Sequence, residues 1–248
     1  PQLYMKAGYH VAAGGKIFHG GDSVESGQYH ERFQRGSDPH PPGGNVNKLN
    51  KAHFDWGPVD ATDEQMGDHR LVTWASEQLQ MKQEKPLFLA VGFVNPHLPW
   101  YVPKKYFDRF PLDQVKLPPF KSDDLSDIPI AGIRMANPDG DHKAVTEGDQ
   151  WASAVQGYLA TVKFVDDELG RLLDAADQAN RKNLIIILWG DHGWHLGEKS
   201  HWRKFSLWEE ATRAPLLVVA PGSSKPPTRC VPPFPFFCFH STFLHFFF

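Results

Sequence analysis

The residues best placed to do chemistry are Gly190-Asp191-His192-Gly193, which directly follow the apolar run Leu184 to Trp189 (LIIILW). Aspartate supplies a hard anionic oxygen and histidine a neutral nitrogen, a pairing suited to a divalent metal ion, and the flanking glycines let the backbone turn and approach a ligand closely. The same tetrapeptide is equally a plain turn that happens to hold Asp, His and Gly. Two other short segments place reactive residue types among glycines or prolines: Gly14-Gly15-Lys16-Ile17-Phe18-His19 and Asn95-Pro96-His97-Leu98-Pro99. Taken alone, Lys16 reads as a solvated surface charge and His97 as a loop residue. Both cysteines, Cys230 and Cys238, fall in the C-terminal tail, so the body of the chain carries neither a disulfide framework nor a thiolate metal site. A metal there must be held by oxygen and imidazole.

The elements that position these groups can be read from apolar period and from breakers. The 248 residues, 41% of them hydrophobic, suffice for one large domain or two small ones with a real core. A net charge of -3 excludes the basic stripe of a nucleic-acid binder or of a protein that lies on an anionic membrane, so a small molecule is the expected partner. Gly43 to Phe54 reads as a surface loop. Asp63 offers an N-cap for a helix running to about Glu84, with Leu71, Trp74, Ala75, Gln78 and Leu79 on one face, and Pro86 ends it. Leu87 to Val94 is an unbroken apolar run, the pattern of a parallel strand buried on both faces, and Pro96, Pro99 and Pro103 force a loop after it.

Pro111 to Asp149 shows little period and reads as a long irregular excursion. From Trp151 to Ala179, apolar residues including Val155, Leu159, Val162, Leu169 and Leu173 recur at helical spacing. Leu184 to Trp189 and Pro215 to Ala220 then read as two more buried strands. The order implies an α/β fold, a mostly parallel central sheet flanked by helices, with ligands bound outside the carboxyl ends of the strands. Pro1 is not an initiator Met and no signal-like segment follows it, so the true N-terminus is expected to have been lost. Val231 to Phe248 packs eight Phe and three Pro into 18 residues. Its prolines argue against a spanning helix, which needs about 20 apolar residues. Residues 223–248 are expected to lie outside the native domain, and residues 1–222 to form part of one catalytic domain.

Context around Asp191 changes the weight of these short motifs. Trp194-His195-Leu196-Gly197-Glu198-Lys199 follows, then Trp202-Arg203-Lys204-Phe205-Ser206 and Ala211-Thr212-Arg213-Ala214-Pro215. With this run the chain resembles the sulfatase family of the alkaline-phosphatase superfamily, whose members carry D-H-G-x-x-L-G-E-H, then W-x-K-x-x-x-x-E and R-x-P-L. Gly15-Lys16-x-x-His19 and Pro96-His97-x-Pro99 agree with the same family in the same order, and the whole is most similar to its iduronate-2-sulfatase branch. Lys199 stands where the family has His and takes no role.

The resemblance implies that Asp191 and His192 are ligands of a calcium ion. It implies that Lys16 and Lys204 hold sulfate oxygens, that His19 orients the nucleophile, and that His97 donates a proton to the leaving group. Trp194 and His195 would line the substrate pocket. The family's nucleophile is a formylglycine made from Cys in C-x-P-S-R, preceded by an Asp pair that completes the metal site. Neither motif is present, so both are expected upstream of Pro1, and the chain as it stands is expected to be inactive. The implied activity is hydrolysis of a sulfate ester on a sugar, in an exported or lysosomal protein. A phosphodiesterase or phosphonate hydrolase of the same superfamily, or a truncated copy acting only as a binding module, are the alternatives.

Overall fold

The computed structural model describes residues 1–19, 27–49, 51, 53–181 and 183–222, so the Pro- and Phe-rich tail with both cysteines lies outside the described residues. The chain opens with helix α1 (Gln2–Lys6), strands β1 (His10–Gly15), β2 (Glu31–Phe33) and β3 (Trp56–Val59), and helix α2 (Gly67–Gln80). Strands β4 (Leu87–Gly92) and β5 (Trp100–Pro103) precede helices α3 (Lys104–Phe107), α4 (Ile130–Ala136), α5 (Asp141–Glu147) and α6 (Trp151–Gln178). Strands β6 (Ile186–Trp189), β7 (His195–Leu196) and β8 (Trp202–Arg203), helix α7 (Glu209–Thr212) and strand β9 (Leu216–Val219) complete it. Among the described residues no helix is long and apolar enough to cross a membrane.

The α/β architecture read from the sequence is present. Strands β2, β1 and β4 form a parallel sheet in that order, with β1 and β4 in register from His10 opposite Leu87 to Gly15 opposite Gly92. Strands β3 and β5 form a second parallel pair. The β6 and β9 strands run antiparallel and bond to no other strand among the described residues, where a parallel arrangement was expected. Burial also departs from the expectation: every residue of β4 is only half-buried, and Trp189, Leu217 and Val218 on the β6–β9 ribbon are exposed.

Strand β1 was invisible to a reading based on bulky apolar runs because it is HVAAGG, yet its last five residues are buried. Its small residues are what the packing demands. A Cβ on Gly14 would stand 2.6 Å from the Leu71 and Trp74 side chains of α2, and one on Gly15 would stand 2.0 Å from the Gly92 carbonyl oxygen. Gly15 also sits at φ +72°, in the left-handed region that favours glycine.

The expected 63–84 helix is split. Thr62 and Gln65 form a capping box around a short turn at residues 63–65, extended Met66 (ψ 140°) interrupts, and α2 starts at Gly67. Its inward residues Leu71, Ala75, Gln78 and Leu79 are those the period indicated, and Trp74 stacks on Phe33. In α6 the buried stripe is made of small residues, Ala154, Gly157, Ala160 and Thr161, with Phe164. Val162 and Leu173, counted on the apolar face from the sequence, are exposed. A Cβ on Gly157 would lie 2.7 Å from the Cβ of Trp56, so the helix turns its smallest residues toward the β3–β5 layer. The 111–149 segment is not wholly irregular, since α4 and α5 lie within it. The core that results gathers Phe54, Trp56, Trp100 and Trp202 under α6.

Gly8 and Gly15 separate backbone strain from collision. Gly8 also has positive φ, +87°, but nothing lies within 4 Å of its Cβ position. Gly8→Ala is expected to lower stability by about 1–2 kcal/mol, the left-handed penalty alone, and Gly15→Ala by clearly more. Urea unfolding of both variants checks this, and equal losses would show that the β1–β4 contact is not tight.

Candidate active site

Four loops leave the carboxyl ends of strands and converge. Lys16 follows β1, where its N–H donates to Gly92 O (2.7 Å). His97 lies on the loop after β4, anchored by the fully buried Trp100, whose Nε1 donates to Pro96 O (2.9 Å). Asp191 and His192 follow β6, and Lys204 follows β8. Gly193 earns its place in the turn by packing, because a Cβ there would stand 2.0 Å from the Glu210 carbonyl oxygen.

These groups are joined by one ion pair and one charge-assisted hydrogen bond. Lys16 Nζ donates to Asp191 Oδ2 (3.1 Å), and Lys204 Nζ to His192 Nε2 (3.0 Å). His192 Nδ1 donates to Gly193 O and His97 Nδ1 to Leu98 O, both at 2.8 Å, which leaves each Nε2 as the ring's other polar atom. The Trp194 indole sits between them, 5.8 Å from the His97 ring and 5.9 Å from that of His192. Burial disfavours the charged form of Asp191, but the Lys16 hydrogen bond and the charges of His192, Lys16 and Lys204 outweigh it and hold the carboxyl below its usual range. Burial pulls His97 and His192 below the usual histidine range, with Lys204 and Lys16 adding to the effect. Burial also lowers Lys204, and repulsion from Lys16 reinforces that shift.

A cavity of about 490 Å³ opens against this cluster, with Lys16, His19, Arg32, Arg35, His97 and Lys204 in its walls. A groove of about 560 Å³ elsewhere is lined by five carboxylates, Asp63, Asp166, Asp167, Glu168 and Asp174, against Lys105 and Arg171, so its charge is of the opposite sign. The structure therefore brings Lys16, His19, His97 and Lys204 into one cavity, with Asp191 and His192 bound to its lysines. Trp194 and His195 do not line that cavity, although the Trp194 indole packs against the His97 and His192 rings beside it. Trp194 packs on Trp100, and His195 is 0% exposed, its Nε2 2.8 Å from Ser206 Oγ and its ring against His201 and Trp208. In this arrangement His195 is a core residue rather than a wall of the cavity. Its ring instead ties the Asp191 turn to the turn that carries Lys204. Arg32 and Arg35 were missed, because two arginines in Glu-Arg-Phe-Gln-Arg match no motif. Lys199, set aside in the sequence, pairs with Asp124 at 2.9 Å.

Asp191 and His192 do not by themselves make a metal site. Calcium takes about six to eight oxygen ligands, and among the described residues no three His, Cys, Asp or Glu side chains are grouped closely enough to hold an ion. Both candidate ligands are turned to ammonium groups instead.

The sulfatase family model matches residues 1–241. The chain belongs to the sulfatase family. A sulfatase of Formosa agariphila is 40% identical over 91% of this chain and 47% of its own length. Iduronate 2-sulfatase of Homo sapiens is 30% identical over 90% of this chain and 45% of its own length. The fold is shared with a phosphonate monoester hydrolase from Silicibacter pomeroyi at TM-score 0.66 and 18% identity, over 88% of this chain and 52% of that one. The chain spans about half the length of the curated relatives it matches.

For this member of the sulfatase family, buried His195 gives a test that needs no turnover. Burial, then repulsion from His201, pushes it down to about 4. An unfolded histidine titrates near about 6.5, so the buried neutral ring contributes stability that is present above that pH and lost as pH falls toward the folded value. His195→Gln is expected to be less stable at neutral pH, and to lose less on acidification from about pH 6.5 downward. Thermal unfolding across that range, compared with wild type, checks the sign. Parallel curves would refute it.

Proposed function

We propose that the chain is part of an enzyme that hydrolyses a sulfate ester on a sugar, the 2-O-sulfate of a uronic acid being the favoured substrate. The observation that carries this is the pair of ammonium groups, Lys16 and Lys204, in one cavity with His97 at the carboxyl ends of the strands. The relative named iduronate 2-sulfatase supports the choice of sugar. A sulfate monoester carries one negative charge on three non-bridging oxygens. Lys16 and Lys204 would donate hydrogen bonds to these oxygens and offset the charge that shifts in the transition state. Arg32 adds to the positive field around the same cavity.

As the nucleophile's oxygen would bond to sulfur and the ester sulfur–oxygen bond breaks, the leaving alkoxide needs a proton. His97 Nε2 is read as its donor, while Nδ1–H stays on the Leu98 carbonyl and fixes the ring. His19, exposed at the cavity wall, is read as an orienting group for the nucleophile. Sulfatases generally use a metal ion and a formylglycine. Asp191 and His192 are read as two donors toward that metal, with calcium favoured, but the described residues complete neither group, and the roles assigned here rest on the chain's own side chains.

Full-length protein is expected to turn over 4-nitrophenyl sulfate and a 2-O-sulfated uronate disaccharide faster than an aryl phosphonate. Dominant phosphonate turnover would instead favour the competing reading. Lys204→Met should cut kcat/KM by about 10²–10³, and an Asp191→Asn variant with unchanged turnover would end the proposed role of that carboxylate. Since His97 must be protonated to act and burial lowers its pKa, kcat/KM should fall as pH rises, with the descending limb below about pH 6.5. His97→Gln should abolish that limb.

A further inference from the structure

Asp68 stands outside the cavity, yet it is 0% exposed and carries more converging contacts than its place on the first turn of α2 requires. Its two oxygens accept from the Val94 N–H (3.1 Å), the Asn95 N–H (3.0 Å) and the Asn95 side-chain amide (2.8 Å). These donors belong to the loop that reaches His97 two residues later. Arg35 closes the other side: its Nε pairs with Asp68 Oδ1 (2.7 Å), and its Nη2 forks onto both oxygens of Asp38 (2.7 and 2.6 Å). Asp38 Oδ1 in turn accepts from the Gly67 N–H (2.7 Å), and Arg70 donates to the carbonyls of Arg35 and Ser37 (both 3.0 Å).

Three segments distant in sequence meet at this buried pair: the exit of β2, the start of α2 and the loop after β4. Two of them supply cavity wall, Gln34, Arg35 and Gly36 from the first and Val94 and His97 from the last. A buried carboxylate without its cation and donors would be strongly disfavoured, so the ion pair and the loop hold or fail together. Backbone contact at 94–95 and the Nδ1–H bond of His97 to Leu98 O then restrain both the position and the rotation of the ring.

We infer that Asp68, paired with Arg35, is a positioning residue for His97, acting by pinning the Val94–Asn95 backbone so that His97 reaches the cavity it shares with Lys16 and Lys204. The kinetic consequence rests on the sulfate-ester reading above, whereas the structural consequence does not. A displacement of about 1 Å at a reacting group costs on the order of 10²-fold in rate. Loss of the pin should therefore lower kcat and leave KM, which reflects the lysines, nearly unchanged.

The test uses full-length protein carrying Asp68→Asn, and Arg35→Lys as a second variant that keeps the charge but cannot fork between Asp68 and Asp38. Amide hydrogen exchange is read at Val94 and Asn95 and, as an internal reference, at Phe88 and Ala90 in the β1–β4 ladder. Turnover is read on 4-nitrophenyl sulfate. The expected result is exchange at least about 10-fold faster at residues 94 and 95 with the reference amides unchanged, together with a kcat loss of roughly 10²-fold at similar KM. Unchanged exchange at 94 and 95 in a folded variant overturns the inference, and so does faster exchange with unaltered kcat. If Asp68→Asn does not fold, Arg35→Lys decides by the same readings. Wild-type protein inactive on every sulfate ester would sink the functional reading, and the exchange data would still decide whether Asp68 pins the loop.

Discussion

Lys16 and His97 leave two neighbouring parallel strands whose ends meet at a distance only glycine allows. Gly15 and Gly92 bring backbone against backbone at the β1–β4 edge, and Gly14 lets α2 lie flat on the same place. Any side chain there would push the strands apart or lift the helix, and each movement would change where the two site loops begin. The same tight edge seats the N-terminus of α2, from which Asp68 reaches the loop that bears His97. The site is therefore built outward from a contact that has no chemistry of its own.

Around that contact the charges are arranged for an anion. Lys16, Arg32, Arg35 and Lys204 line one cavity. Arg35 is neutralised behind the wall by Asp68 and Asp38, while Asp191, 62% exposed, is the carboxylate set against Lys16. Burial lowers the Lys204 pKa, and repulsion from Lys16 adds to the shift. An oxyanion between them would relieve that repulsion, in keeping with the proposed function.

Several features of the fold were legible because they follow directly from apolar period or from breakers: β4 after Pro86, the inward face of α2, and the strand that ends at Trp189. Strand β1 was not, and of the buried stripe of α6 only part, Val155 and Ala176, was, for one shared reason. Close packing selects Ala and Gly, and a reading that counts bulky apolar residues passes over them, as it did for Gly14, Gly15 and Gly157. Likewise α4 and α5, seven residues each, are too short to show a period against the Pro, Asp and Gly around them.

The sequence named the candidate groups, Lys16, His19, His97, Asp191, His192 and Lys204, through the resemblance of their motifs to the sulfatase family, and the family itself was legible there. Burial and direction, which no motif encodes, were decided only by the tertiary structure. It turned His195 into the core against Ser206, kept Trp194 on Trp100, placed Arg32 and Arg35 in the wall, and set Asp191 and His192 against lysines. The reason is that a side chain's function depends on what lies across from it. For Asp191 that is Lys16, separated from it by 175 positions in the chain.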